Sequence, residues 1–116
     1  MKHIFTYLLV IIFSTNLFAS NCNEPTSTDR FNSLFKSVDN IEMADQKKFN
    51  LISAYAKREC FTVTQLLRFL DTIADHKLQI STAQSIINFV FDPENLEMFL
   101  SRFSDYEKQM IKKSAL

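Results

Sequence analysis

The chain contains no glycine. Every backbone position must therefore suit a residue that carries a Cβ, which closes off routine use of positive φ. P-loops, dinucleotide-binding fingerprints, the G-x-S-x-G nucleophile elbow and EF-hand loops all need glycine where the backbone turns sharply or approaches a ligand. None can occur here in standard form. Type I′ hairpin turns are disfavoured for the same reason, which weighs against an all-β fold. Only Pro25 and Pro93 break the chain, and 12 Phe with no Trp point to a core built on phenylalanine.

The first twenty residues, MKHIFTYLLVIIFSTNLFAS, read as a secretory signal peptide. Lys2 and His3 form a short positive region, Ile4 to Phe13 an apolar run, and Ser14, Thr15 and Asn16 interrupt it. A spanning helix needs about 20 mostly apolar residues, and this run is roughly half that. Cleavage after Ala19 puts Leu17 at −3. Cleavage after Ser20 puts bulky Phe18 there. A lipoprotein signal is a third reading, since Cys22 follows the apolar run, but Asn21 fits badly before a lipidated cysteine. The expected organisation is a signal peptide over 1–19, a polar tail over 20–28 and a helical domain over 29–116. It implies a secreted or periplasmic protein with no membrane span in the mature chain.

Removing the leader leaves about 97 residues, enough for one domain with its own core. The full chain has 13 Lys+Arg and 13 Asp+Glu. Only Lys2 of these falls in the leader. That balance argues against nucleic acid as a partner and gives no reason to expect an anionic membrane surface. Cys22 and Cys60 both lie in the mature chain, and an even count in an exported protein predicts a disulfide. The alternative is a buried free Cys60 with Cys22 lipidated or unpaired.

From Thr28 onward the apolar residues recur at helical spacing. Phe31, Leu34, Phe35 and Val38 mark a first helix, capped by Thr28 or Asp29. A second runs from Asp45 to about Arg58, with Phe49, Ile52 and Ala56 on one stripe. A third opens at Thr62. With Gln65 it makes a capping box, and Phe61 and Leu66 stand at the staple positions. A fourth opens at Asp75 and carries Ala83, Ile86, Ile87 and Val90. Asp92, as N-cap with Pro93 at N1, predicts a fifth, whose buried face is Leu96, Phe99, Leu100 and Phe103. Asp105 begins a last helix with Tyr106, Met110 and Ile111. The expected fold is all-α, a compact bundle of five or six short helices, capped at Asp45, Thr62, Asp75 and Asp92.

The helix starts look alike. Asp45 to Lys48, Asp92 to Asn95 and Asp105 to Lys108 read D-x-x-[K/N], and Asp75 to Lys77 is one residue shorter. These read as degenerate repeats of irregular period, which does not predict a solenoid. The order of D-x-x-K-F at Asp45 to Phe49, T-x-x-Q at Thr62 to Gln65, D-x-K-L at Asp75 to Leu78 and D-x-x-N at Asp92 to Asn95 resembles a family of secreted helical domains known as domain of unknown function 4476. The resemblance covers about residues 31 to 114. It implies an all-helical exported domain and no catalytic residues.

Few residues invite chemistry. His76 is the one histidine beyond the leader, so a Cys/His or Ser/His/Asp site would need it, with Cys60 as the conceivable nucleophile. Asp71, Asp75 and His76, or Asp39, Glu42 and Asp45, are the acidic groupings that could hold a metal. Helix ending and capping explain the same residues more simply. The Phe stripes read as core, with a groove for an apolar ligand or partner helix as the alternative. The expected function is an exported binding or interaction domain without catalysis, cofactor or metal, whose partner is an unknown protein or small apolar ligand. The alternatives are a small periplasmic enzyme using Cys60 and His76 or an acidic site, and an envelope protein lipidated at Cys22.

Overall fold

Six α-helices account for most of residues 22–115, the part of the chain that the computed structural model describes. They are α1 (Thr28–Val38), α2 (Asp45–Arg58), α3 (Val63–Leu70), α4 (His76–Ile86), α5 (Leu96–Leu100) and α6 (Asp105–Lys113), with 3-10 turns at Ile87–Phe89 and Pro93–Asn95. The architecture is an all-α bundle of short helices, with no strand among the described residues. The expected leader and its cleavage site lie outside the described residues.

The helices alternate in direction, and hydrogen bonds fix their order. Arg30 on α1 meets Glu59 just past the end of α2, while Ser37 meets Tyr55, so α1 and α2 are antiparallel. Asp45 meets Asp75 and Ser53 meets Ser85, so α2 and α4 are parallel. His76 meets Glu107 and Gln84 meets Met110, so α6 runs parallel to α4. At the start of α3 Val63 meets Asp92, and at its end Asp71 meets Arg102, which aligns α5 with α3. The chain is thus three helical hairpins laid side by side. One layer is α1, α3 and α5. The other is α2, α4 and α6.

This arrangement corrects the irregular-repeat reading. Asp45 and Asp75 are thirty residues apart and touch, and Asp105 stands at the same interval beyond. The preceding residues match as well: Met43-Ala44, Ile73-Ala74 and Phe103-Ser104. The second and third hairpins agree over a longer stretch, Phe61 with Phe91, Leu66 with Leu96, Phe69-Leu70 with Phe99-Leu100. Counting Asp92 among the equivalent starts hid this register, because Asp92 corresponds to Thr62. Equivalent residues lie next to each other, as in stacked repeat folds: the Phe91 N–H donates to the Phe61 carbonyl at 2.8 Å.

A helix start leaves backbone N–H groups without partners inside the helix. Ser27, rather than Thr28 or Asp29, caps α1 through its hydroxyl on Arg30 N–H. Thr62 and Gln65 form the capping box of α3, and Asp75 accepts from Lys77 N–H at 3.1 Å. Two expected caps differ. Asp45 is the first residue of α2, not its N-cap, which is Ala44; its carboxylate accepts from Asp75 N–H at 2.9 Å, at the start of α4. Asp92 makes no side-chain cap to its own helix. Its Oδ1 accepts from Val63 N–H, in α3, at 2.8 Å, and its Oδ2 accepts from the Asn95 amide. Both carboxylates therefore close a helix of the neighbouring hairpin. The fifth helix, left without its own carboxylate cap, opens as the 3-10 turn Pro93–Asn95.

Helix ends manage without glycine too. No described residue has positive φ. The α3 end closes in the right-handed region at Asp71, Thr72 Oγ1 donates to Phe69 O, and Lys48 Nζ reaches across from α2 to donate to Thr72 O at 2.8 Å. The expected fourth helix stops at Ile86; Ile87–Phe89 is a 3-10 turn and Val90 is extended.

Phe69 is the hub of the core. Its ring lies 5.0 Å from Phe61, 5.1 Å from Phe31 and 5.7 Å from Phe35. Ile52, Ala56, Leu66, Leu70, Ile86, Phe99 and Ile111 are buried with it. Phe91 and Leu96 are less covered than their counterparts Phe61 and Leu66, because among the described residues no further hairpin stacks against them.

The cross-hairpin role of Asp45 predicts where damage shows. Asp45→Ala should cost about 0.5–2 kcal/mol, the usual value of a cap. Amide exchange followed by NMR should quicken at Asp75, thirty residues away, and not selectively at the start of α2. Loss of protection confined to residues 46–48 would contradict this placement.

Candidate functional site

The polar residues with chemical potential gather at the two ends of the stack. At one end Cys22 and Cys60 are bridged, with Cα atoms 5.6 Å apart and a sequence separation of 38. Closing a loop of that size stabilises by about 4 kcal/mol in the chain-entropy account. The tail is held by more than sulfur. Thr26 N–H donates to Cys60 O at 3.0 Å, Cys60 N–H donates to Thr26 Oγ1 at 2.9 Å, and Gln65 Nε2 donates to Thr26 O at 3.0 Å. Arg30 pairs with Glu59 beside them at 3.0 Å. Gln65 therefore serves twice, in the α3 capping box and on the tail.

The bridge bears on two of the alternatives. Cys60 has no thiolate to offer a substrate, so the Cys60–His76 pairing expected of an enzyme is not present. Cys22 likewise has no free thiol to carry a lipid.

At the other end His76 opens α4 and faces α6. Its Nε2 lies 2.9 Å from Glu107 Oε2 and its Nδ1 3.1 Å from Gln79 Oε1. Both acceptors are fixed. Gln79 Nε2 donates to Ile73 O, which leaves the amide oxygen toward the ring, and Glu107 Oε1 accepts from Ser104 N–H in the α6 capping box. A ring facing two acceptors satisfies both only as imidazolium. The hydrogen bond to Glu107, then that to Gln79, raises the His76 pKa above 6.5. Ser104 N–H and then His76 lower that of Glu107. The Ser104–Glu107 box was missed because the D-x-x-K pattern drew the start to Asp105; S-x-x-E at 104–107 is the signal that would have found it.

The proposed metal groupings are not assembled. Asp71 pairs with Arg102, Asp75 caps Lys77, and His76 faces Glu107. Asp39 ends α1, Glu42 N–H is held by Asn40, and Asp45 reaches Asp75. Among the described residues no three His, Cys, Asp or Glu come together as a metal site, and no helix is long and apolar enough to cross a membrane. The Phe stripe Phe99, Leu100 and Phe103 is buried, with Leu96 half-buried against it. Lys48, read in the sequence only as part of a helix-start motif, is buried and grips the α3–α4 loop alongside Asp45. The D-x-x-K motif at 45–48 is thus a two-pronged clamp on that loop.

A family model described as Domain of unknown function (DUF4476) matches residues 25–115. Comparison with curated proteins and with solved structures gives no match.

The His76–Glu107 pair carries a pH signature. With the His76 pKa raised, its contribution is complete below the unfolded value of about 6.5 and fades as pH rises through the folded value. With the Glu107 pKa lowered, its contribution is present above the unfolded value and fades on acidification through the folded one. The pair should therefore hold α4 to α6 best in mildly acid solution. An NMR titration should place the His76 pKa above 6.5, and Glu107→Gln should bring it down. An unchanged His76 pKa in that variant would show that the contact does not persist in solution.

Proposed function

The chain belongs to the DUF4476 family, and on that premise we propose that it is an exported, non-enzymatic interaction domain. The observation that carries this reading is the use already made of its reactive side chains. Cys60 is bonded to Cys22, His76 is held between Gln79 and Glu107, and Asp45, Asp75 and Asp92 accept backbone N–H groups. Each serves the fold. Side-by-side hairpins offer long helical faces, and repeat folds use such faces for binding. A disulfide next to the expected leader supports an oxidising compartment outside the cytoplasm.

The reading has two halves and each has a measurement. For export, the processed protein should have the mass of a chain beginning at Ser20 or Asn21 and no alkylatable cysteine. A species that keeps Met1 or two reactive thiols would overturn it. For interaction, a photo-crosslinker placed at exposed positions of each layer, in the native envelope, should give adducts from one face, and His76→Gln should leave them unchanged. Adducts from no position, or their loss in His76→Gln, would reopen the enzyme reading.

A further inference from the structure

The helices of the two layers differ in charge: α2, α4 and α6 carry eight Lys and Arg against three Asp and Glu, and α1, α3 and α5 carry three against two. Lys47, Lys57 and Arg58 on α2, Lys77 on α4, and Lys112 and Lys113 on α6 are all exposed. None of them is paired with a carboxylate among the described residues. The acids of these three helices, Asp45, Asp105 and Glu107, sit in first turns. Each is engaged, Asp45 by Asp75 N–H, Asp105 by Lys108, and Glu107 by His76 and Ser104. At 100° per residue, Lys47 and Arg58 lie on the far side of α2 from buried Ile52 and Ala56, Lys57 flanks that buried face, and Lys77 lies opposite buried Thr82, Ala83 and Ile86. The six cations thus lie on the solvent-exposed side of one layer, with Arg58 at its edge over the Tyr55 ring. Parallel helices packed at 8–10 Å make that side about 20 Å wide.

Helix stability explains only part of this pattern. Lys57, Arg58, Lys112 and Lys113 stand in last turns, where the macrodipole favours cations. Lys47 and Lys77 stand in first turns, where it opposes them, and they occupy the same place in consecutive hairpins, two residues past Asp45 and Asp75. Their position costs the fold something and answers no acid within it.

We propose that this face docks on an anionic lipid surface. The proposal rests on the interaction reading above and names its partner. The charges are spread along and across the layer rather than converging on a cleft, which suits a plane of headgroups more than a single phosphate or an acidic peptide. Five of the six are lysines, point charges that follow a diffuse potential, whereas bidentate recognition favours arginine. Tyr106, 75 % exposed on α6, is an aromatic of the kind that settles at a membrane interface. Near balance of charge over the whole chain concealed this, because most of the opposing acids lie in the segments before and between the α-helices.

The test uses protein purified after export and vesicles of phosphatidylcholine alone or mixed with phosphatidylglycerol. Sedimentation at low salt should show binding only to the anionic vesicles, and high salt should abolish it. K47E/K77E should bind at least about tenfold more weakly, since each reversal removes an attraction and adds a repulsion. That variant should stay folded, because Glu suits a first turn. Lys36→Glu, on α1 in the other layer, should bind as the parent does. No binding to anionic vesicles, an undiminished K47E/K77E, or an equal loss in Lys36→Glu would each overturn the proposal. Tighter binding to polyglutamate than to vesicles would overturn it too, in favour of an acidic polypeptide. None of these failures touches the crosslinking result, which tests the interaction reading separately.

Discussion

A helix start in the interior of a fold must find acceptors for its N–H groups, and here the neighbouring hairpin supplies them. Asp92 reaches back to Val63 N–H, in α3, and Asp45 reaches forward to Asp75 N–H at the start of α4. Each bond joins one hairpin to the next at a register close to thirty residues. Lys48 adds the complementary contact, a cation on the carbonyl of Thr72. Short hairpins place these side chains within reach of the helix starts they close.

Packing follows from that register. Once α3 is set beside α5 and α4 beside α2, Phe69 falls among Phe31, Phe35, Phe61 and Tyr55. Its counterpart Phe99 is buried one hairpin further on, against Phe103. Burying an aromatic of this size is worth about 1.5–3 kcal/mol. The disulfide then ties the tail to the junction of α2 and α3, where Thr26 and Gln65 already hold it. The solvent-exposed side of the α2, α4 and α6 layer takes no part in any of this, and the unpaired lysines lie there.

The sequence made the fold class and most helix starts legible, because these are local. Thr62 with Gln65 and the apolar spacing of Leu66, Phe69 and Leu70 need nothing beyond their own helix. What stayed hidden depends on a second segment. Asp92 stands where an N-cap should, but its carboxylate turns to Val63, and no local pattern reports that. Asp45 next to a helix start looks like a cap until Ala44 is seen to hold that place. The thirty-residue repeat was present in Phe61 to Asp75 against Phe91 to Asp105. It escaped notice because one degenerate motif joined starts that are not equivalent. The engagement of His76 by Glu107 and the difference in charge between layers likewise required the hairpins to be set side by side.

The central claim is that carboxylates of one hairpin close the helices of the next. A double-mutant cycle on the more buried contact tests it directly. Semisynthesis can replace the Val63 amide by an ester, which removes the N–H and keeps the side chain, and Asp92→Ala removes the acceptor. Urea melts of the parent, the two single variants and the double variant give the coupling. The account predicts a coupling of about 1 kcal/mol or more, as for a hydrogen bond to a charged group. Effects that add within about 0.5 kcal/mol would contradict it.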